Sequence, residues 1–151
     1  MGVKTLYEEK RMNMKTINQD IIDEFINKRN VFAVIGVSRN KEKYGNKVYF
    51  DLKHAGYTVF PVNPNFSSIS GERCYSRLKN LPVLPDVVDI VVPPKITGEI
   101  VKECKDLGIE KVWMQPGSES DEAILFCEEN SIKVLYGVCV MLERRKDRRD
   151  G

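Results

Sequence analysis

Hydrophobic residues follow two alternating patterns along this chain. Five short runs are predominantly apolar, which is typical of strands buried on both faces of a sheet. They cover residues 31–36, 57–62, 87–92, 111–114 and 132–136. The segments between them carry apolar residues at helical spacing. The alternation predicts an α/β fold, namely a doubly wound, five-stranded parallel sheet (Rossmann-like) with helices on both faces.

The helix boundaries follow from capping residues and glycines. A helix over 45–55 ends before Gly56, and one that begins at Thr97 ends before Gly108. Ser118 or Ser120 caps the next helix, which reaches about residue 130. We also expect a short helix around 75–79.

An additional helix is predicted ahead of the first strand. Residues 16–19 have the form of a capping box, and Ile22, Phe25 and Ile26 share one face of a helix ending near Asn30. The predicted organisation is a flexible arm at 1–15, a single domain over 16–143, and a charged, solvated tail at 144–151.

Composition narrows the class of protein. With 151 residues, 42% hydrophobic and 30% charged, the chain fits one soluble domain. The net charge of +2 gives no global attraction to nucleic acid, and no aromatic residues interleave with the basic tail. No apolar run is long enough for a membrane span. Four cysteines without a CxxC pair indicate reduced thiols and a cytoplasmic location.

The carboxyl ends of the strands are the expected binding edge, because ligands of open parallel sheets bind there. After the first strand, Gly36 permits a tight turn, Ser38 offers a hydroxyl, and Arg39, Lys41 and Lys43 surround the next helix N-terminus. Such a helix start attracts anions, so a phosphate or diphosphate would be well placed. The alternative is a surface loop with solvated lysines.

Two classes of protein, nicotinamide enzymes and phosphate-accepting receiver domains, fit the strand ends poorly. A dinucleotide fingerprint starting at Gly36 would need glycine at Ser38 and Lys41. The second strand ends at Asn63, where a nicotinamide site usually has an acidic residue. A phosphate-accepting receiver domain would need acidic residues where Gly36 and Pro93 stand.

Catalytic machinery is scarce. His54, the one histidine, falls near a helix end, and no nucleophile elbow, phosphate-binding lysine loop or metal-ligand spacing occurs. Asp86 and Asp89 are expected at the beginning of the third strand, away from the binding edge. Cys139 follows the fifth strand and would either exchange with a ligand thiol or remain a buried, inert thiol. We therefore predict no catalytic residue and no metal site.

With these segments in order, the chain resembles the stand-alone CoA-binding domain family, which is Rossmann-like and related to the CoA-binding domain of the succinyl-CoA synthetase α subunit. The resemblance covers roughly residues 32–145. It rests on the segments 34–38, 56–64, 71–75, 88–91 and 112–117, and on Cys139 ahead of 143–145.

The resemblance implies coenzyme A as the ligand. Gly36, Ser38 and Arg39 would contact its phosphates, and residues 62–64 would line the adenosine region. Val92 and Pro93 would border the pantetheine, with Gln115 and Gly117 near its other side. The candidate binding residues are Gly36, Val37, Ser38, Arg39, Lys43, Val62, Asn63, Pro64, Val92, Pro93, Pro94, Gln115 and Gly117.

Some features depart from the family pattern. The chain has Glu143-Arg144-Arg145 where relatives commonly have Glu-His-Arg, and Pro93-Pro94 where some carry a basic residue. The phosphohistidine domain of the CoA ligases is absent from the sequence. We expect a CoA or acyl-CoA binding module that is not itself an enzyme. The alternatives are a small enzyme or subunit acting on acyl-CoA, and a nicotinamide- or flavin-binding protein. A homodimer or a larger protein partner stays open.

Overall fold

The protein is described by a computed structural model that covers residues 19–146. Five parallel strands form its main sheet, namely β1 (Val31–Ile35), β2 (Thr58–Val62), β5 (Val87–Ile90), β6 (Lys111–Met114) and β7 (Lys133–Leu135). Their spatial order is β2-β1-β5-β6-β7. The strand order reverses between β1 and β5, and the predicted doubly wound, five-stranded parallel fold is confirmed.

Helices cover both faces of this sheet and create two separate apolar cores. One face is covered by α1 (described over residues 19–25), α2 (Tyr44–His54) and α5 (Val140–Lys146). The other is covered by α3 (Pro94–Leu107) and α4 (Asp121–Glu129). Trp113 of β6 is fully buried on the first face, with the ring of Phe25 edge-on at 6.0 Å. No helix in residues 19–146 has the length and hydrophobicity needed to cross a bilayer.

The additional N-terminal helix is present, with Ile22, Phe25 and Ile26 buried against the sheet. Its end differs from the prediction, because the helical pattern stops at residue 25 rather than near Asn30. The Asn30 side-chain amide donates to the carbonyl oxygens of Glu24 and Phe25 at 2.8 and 3.0 Å and so satisfies the helix end. The predicted arm and the Thr16 cap lie outside the described residues.

Several local predictions were wrong. Thr97 is not an N-cap, because α3 already begins at Pro94, a favourable first helical residue with no N–H to leave unpaired. The expected short helix is only a 3₁₀ turn at Leu78–Asn80. A small antiparallel hairpin, β3 (Ser68–Ile69) and β4 (Glu72–Arg73), was not predicted at all. Ser120 does cap α4, since its hydroxyl oxygen accepts a hydrogen bond from the Ala123 amide.

The prediction of a charged, solvated tail also needs correction over residues 144–146, the part that the structure describes. Arg144, expected in a solvated end, belongs to α5 and donates two hydrogen bonds of 2.7 Å to the carboxylate of Asp51 on α2. Arg145 adds a third at 2.9 Å. Although burial raises it, these hydrogen bonds hold the pKa of Asp51 below its usual value. The charged residues therefore fasten α5 onto α2.

Two glycines allow the first strand to turn tightly into α2. Gly36 has a φ of +95°, and a Cβ on it would lie 2.1 Å from the carbonyl oxygen of Val91. A Cβ on Gly45 would lie 2.1 Å from the carbonyl oxygen of Gly36. The start of α2, the turn after β1 and the residue after β5 are thus packed backbone against backbone.

We expect Gly45→Ala to lower the free energy of unfolding by about 2 kcal/mol or more, because the new methyl group must displace backbone. Gly98→Ala is the matched control, since Gly98 lies within α3 with no atom within 4 Å of an added Cβ. The control should be neutral or more stable by up to about 1 kcal/mol, because alanine favours helix. Urea denaturation of both variants measures this. Equal effects would contradict the packing described for Gly45.

Candidate functional site

A cavity of about 590 Å³ opens at the carboxyl edge of the sheet, where the strand order reverses. Its floor is apolar and comes from both sides of that point, with Ile35 ahead of the β1 turn, Val62 at the end of β2 and Val92 after β5. Asn63 and Pro64 form one rim. Five predicted binding residues, namely Gly36, Val62, Asn63, Pro64 and Val92, therefore lie together around one cavity.

The turn after β1 is held in place by two asparagine side chains. The Asn63 amide donates to the carbonyl oxygen of Val37 at 2.9 Å, and the Asn46 amide donates to that of Ser38 at 2.7 Å. Both hydrogen bonds occupy backbone carbonyl groups of the turn. The N–H groups of Val37, Ser38 and Arg39 make no hydrogen bond to another described residue. The turn therefore presents donors rather than acceptors.

The start of α2 adds further donors. Lys43 is its N-cap residue, with an extended backbone, and its side chain does not cap the helix. The first helical N–H groups are therefore left to other acceptors, and the partial positive charge of a helix start favours an anion. Ser38 has a structural role as well, since its hydroxyl oxygen accepts a hydrogen bond from the backbone N–H of Asn40 at 3.0 Å.

Arg39 is held by the hairpin that sequence analysis missed. Its guanidinium lies 5.0 Å from the ring centroid of Phe66, and its Nε donates to the carbonyl oxygen of Ser68 at 3.0 Å. These contacts place Arg39 beside the turn after β1 but not in the cavity lining. The hairpin thus orients the one arginine of this turn.

The opposite wall of the cavity comes from α3 and from the turn at 78–80. These residues were not predicted as part of the site, because a helix face with charges at its rim has the pattern of an ordinary solvated surface. Arg77 and Glu103 form an ion pair of 3.1 Å there, and Glu103 also accepts from the Leu78 amide. The lining residues missed are Ile35, Asn65, Ser76, Arg77, Leu78, Ile96, Glu99, Ile100, Lys102, Glu103 and Asp106.

A second corner of the edge joins β5, α3 and the turn after β6. The Ser118 hydroxyl oxygen accepts from the Val92 amide at 3.2 Å, and the Thr97 hydroxyl donates to the carbonyl oxygen of Ser118 at 2.7 Å. Pro93 and Pro94 are the N-cap and first residue of α3. Gly117 has a φ of +94° and lies in the turn after β6. None of these three lines the cavity, although all belong to the same edge.

Gln115, predicted near the ligand, is instead fully buried. Its side-chain amide donates to Asp89 Oδ1 at 2.5 Å, and its Oε1 accepts from the Val140 amide at 3.1 Å. Asp89 was wrongly placed at the beginning of the third strand. It is the third of the four residues of β5 and is paired in register with Val34 and Trp113. Gln115 therefore ties three elements together below the rim.

Burial sets the protonation of Asp89. Loss of solvation raises its pKa to about 8, against the lowering effect of the Gln115 amide. The carboxyl is therefore largely neutral at pH 7. No group of three histidine, cysteine or acidic side chains in residues 19–146 is arranged to hold a metal ion. His54 is the last residue of α2, as expected.

The sheet, with an apolar cavity and a donor-rich turn at its carboxyl edge, defines a Rossmann-like α/β protein. The sequence model described as the CoA binding domain matches residues 30–145, which is most of the chain. The chain therefore belongs to the CoA-binding domain family.

Similar proteins include parts of larger enzymes. ADP-forming acetate–CoA ligase I of Archaeoglobus fulgidus is 38% identical over 120 residues, which is 73% of this chain and 18% of the ligase. The alpha subunit of ADP-forming acetate–CoA ligase II of Pyrococcus furiosus is 36% identical over 93 residues, which is 61% of this chain and 20% of that subunit. The chain thus matches about a fifth or less of these relatives' length.

Solved structures of similar size share the fold. A conserved hypothetical protein of Pyrococcus furiosus is 41% identical with a TM-score of 0.73, covering 76% of this chain and 98% of its own. A hypothetical protein of Pyrococcus horikoshii is 31% identical with a TM-score of 0.80, covering 85% and 90%.

Asp89→Asn should change how stability depends on pH. In the wild type, the buried carboxyl keeps its proton up to about pH 8, whereas the unfolded chain loses it near pH 4. The folded state then holds more protons than the unfolded state, so the free energy of unfolding falls as pH rises between these values, by up to about 1.4 kcal/mol per pH unit. Urea denaturation between about pH 5 and pH 8 should show that slope reduced in the variant. Parallel curves for the two proteins would contradict the assigned burial.

Proposed function

We propose that this chain binds coenzyme A, as CoA or acyl-CoA, across the carboxyl edge of its sheet. The observation that carries the proposal is the pairing of two features: the unpaired N–H groups of residues 37–39 in the turn between β1 and α2, and the apolar cavity beside that turn. The first suits a diphosphate and the second suits an adenosine. Membership of the CoA-binding domain family supports the same ligand.

The diphosphate would accept hydrogen bonds from the turn after β1 and from the first N–H groups of α2. Arg39 and Lys43 would add positive charge at this turn, with Arg39 reaching from its contact on Phe66. Gly36 is required because any side chain there would collide with the Val91 carbonyl group. These groups bind phosphate oxygens without reference to the rest of the ligand, so the cavity has to provide specificity.

The adenosine would enter the cavity over Val62, Asn63 and Pro64. The Asn63 side chain already has partners. Its NH₂ group donates to the carbonyl oxygen of Val37, and its Oδ1 accepts from the backbone N–H of Asn65 at 2.8 Å. A neutral, preoccupied side chain at this place gives a nicotinamide ribose no carboxylate to hold its hydroxyls. The pantetheine would then run past Val92 and Pro93 towards the turn at Gly117.

The same geometry favours a binding module without catalysis of its own. The cavity lining contains ion-paired or surface-facing acidic residues such as Glu103, and no histidine or cysteine. Since one relative is an alpha subunit of a ligase, a protein partner that supplies the chemistry is consistent with this proposal.

Filling the cavity should weaken ligand binding. Ile96 lines the cavity and is 36% exposed, so Ile96→Trp can place an indole there without disturbing a core. We expect its affinity for CoA to fall at least about tenfold, which is about 1.4 kcal/mol. Leu125→Trp is the matched control, because Leu125 is 54% exposed on α4 and lies away from the cavity.

Isothermal titration calorimetry with CoA, NAD, NADP and FMN measures the affinities. Wild type and the Leu125→Trp control should bind CoA and none of the other three. At a hundredfold excess over Kd, CoA should also stabilise the fold by about 2.7 kcal/mol. Binding of NAD or FMN without CoA, or equal CoA affinity in the Ile96→Trp variant, would overturn the proposal.

Arg39→Ala tests the phosphate contact separately. We expect CoA affinity to fall about tenfold or more, since a hydrogen bond to a charged group contributes about 1.5–3 kcal/mol. The salt dependence of binding should also become flatter. Arg29→Ala is the control, because Arg29 precedes β1 at the opposite edge of the sheet. If both variants bind as the wild type does, Arg39 has no role in phosphate recognition.

A further inference from the structure

Four polar side chains form a continuous row of contacts at the carboxyl edge, outside the cavity. The row, named the Tyr44–Cys139 cluster, consists of Asp89 on β5, Gln115 after β6, Tyr44 on α2 and Cys139 ahead of α5. Gln115 donates to Asp89 at 2.5 Å, and the Tyr44 hydroxyl lies 3.3 Å from Gln115 Oε1. The same hydroxyl lies 2.7 Å from Cys139 Sγ. The cluster thus ends on a thiol.

Cys139 differs from the other cysteines in accessibility. Cys74, Cys104 and Cys127 are buried, and loss of solvation raises the pKa of each thiol, that of Cys127 to about 12. A thiolate is the reactive form of cysteine, so these three are inert at neutral pH. Cys139 is only half-buried and is therefore within reach of a ligand.

Tyr44 is suited to donate a hydrogen bond to the sulfur. Burial raises its pKa well above the usual value, and the Cys139 contact and the charge of Asp89 raise it further. The hydroxyl therefore keeps its proton under all physiological conditions. A donor held 2.7 Å from Sγ stabilises negative charge that develops on that sulfur, whether it attacks or leaves.

A second and independent observation points to this place. Asp89 Oδ2 is fully buried and, among the residues the structure describes, has no hydrogen-bond partner. Nearly all buried polar atoms in native proteins are paired, and the exceptions tend to mark sites with a role beyond packing. Because the other oxygen of the same carboxyl, Oδ1, accepts the hydrogen bond from Gln115, the unpaired oxygen belongs to the cluster and not to a remote part of the core.

The reach of the proposed ligand matches the position of the cluster. From β1, where the diphosphate would bind, the edge crosses β5 to β6, which is two strand steps of about 4.8 Å or about 10 Å in all. The pantetheine arm has twelve bonds from its phosphate oxygen to its sulfur, as many as four extended residues, or about 14 Å. Its thiol can therefore reach the sulfur beyond Gln115.

We propose that Cys139 takes up coenzyme A from CoA disulfides by thiol–disulfide exchange and holds it as a mixed disulfide. This inference rests on the proposed CoA site. The Cys139 thiol gives its proton to water, and its thiolate attacks one sulfur of the CoA disulfide. The Cys139–CoA bond forms as the original S–S bond breaks, and the departing CoA thiolate takes a proton from water. One disulfide replaces another, so no external oxidant is needed.

Intact-mass spectrometry after incubation with CoA disulfide tests the exchange, with oxidised glutathione at the same concentration for comparison. The wild type should gain one CoA at Cys139, at a rate at least tenfold above the glutathione adduct. Cys139→Ser should gain none. Cys127→Ser is the matched control, because Cys127 is buried on the other face of the sheet, and it should react as the wild type does.

Tyr44→Phe tests the positioning role of the hydroxyl. Removal of the donor should move the pH–rate profile of adduct formation to higher pH, whereas a purely structural effect would lower the rate at every pH alike. An unshifted profile would remove the role assigned to Tyr44.

Calorimetry with reduced CoA under reducing conditions separates this inference from the proposed function. If the wild type binds reduced CoA but forms no adduct, an adduct at another cysteine, or one no faster than with glutathione, the exchange is overturned and the binding proposal stands. If reduced CoA does not bind at all, both fail.

Discussion

The backbone contact among Gly36, Gly45 and Val91 is the constraint on which the rest of this molecule depends. Hydrogen atoms at the two glycine positions let the turn after β1 lie directly against both the exit of β5 and the first turn of α2. That approach brings the free N–H groups of the turn to the point where strand order reverses. A side chain at either glycine would push the donor-rich turn away from the cavity, so fold and site share one packing requirement.

The charged side chains around this contact hold backbone segments in place as well as facing solvent. Asp51 holds α5 through Arg144 across 93 residues of sequence, and the hairpin at 68–73 holds Arg39. Asparagine side chains occupy the carbonyl groups of Val37 and Ser38, while the N–H groups of the turn make no hydrogen bond to another described residue. The edge is thus preorganised, which lowers the entropy cost of ordering a flexible ligand there.

Local patterns predicted the parts of the fold that local interactions determine. Strand β6 and the cap of α4 follow from neighbours in sequence: β6 was predicted at its observed bounds, and Ser120 is one of the two caps predicted for α4. The features missed depend on distant partners. Helix α5 is short and charged and forms against Asp51, while the hairpin packs on Arg39. The position of Asp89 was misjudged because a strand that reads as apolar conceals one protonated carboxyl. The ligand roles predicted for all thirteen candidate binding residues stay predictions.

A crystal structure of the protein with CoA tests the central claim most directly. The account predicts the diphosphate within about 3 Å of the N–H groups of residues 37–39, with the adenine in the cavity between Val62 and Ile96. The opposite result would be CoA on another surface, such as the basic groove along α2 and α5 lined by Lys41, Lys47 and Arg145. Density there, with the turn after β1 left without phosphate, would contradict the account.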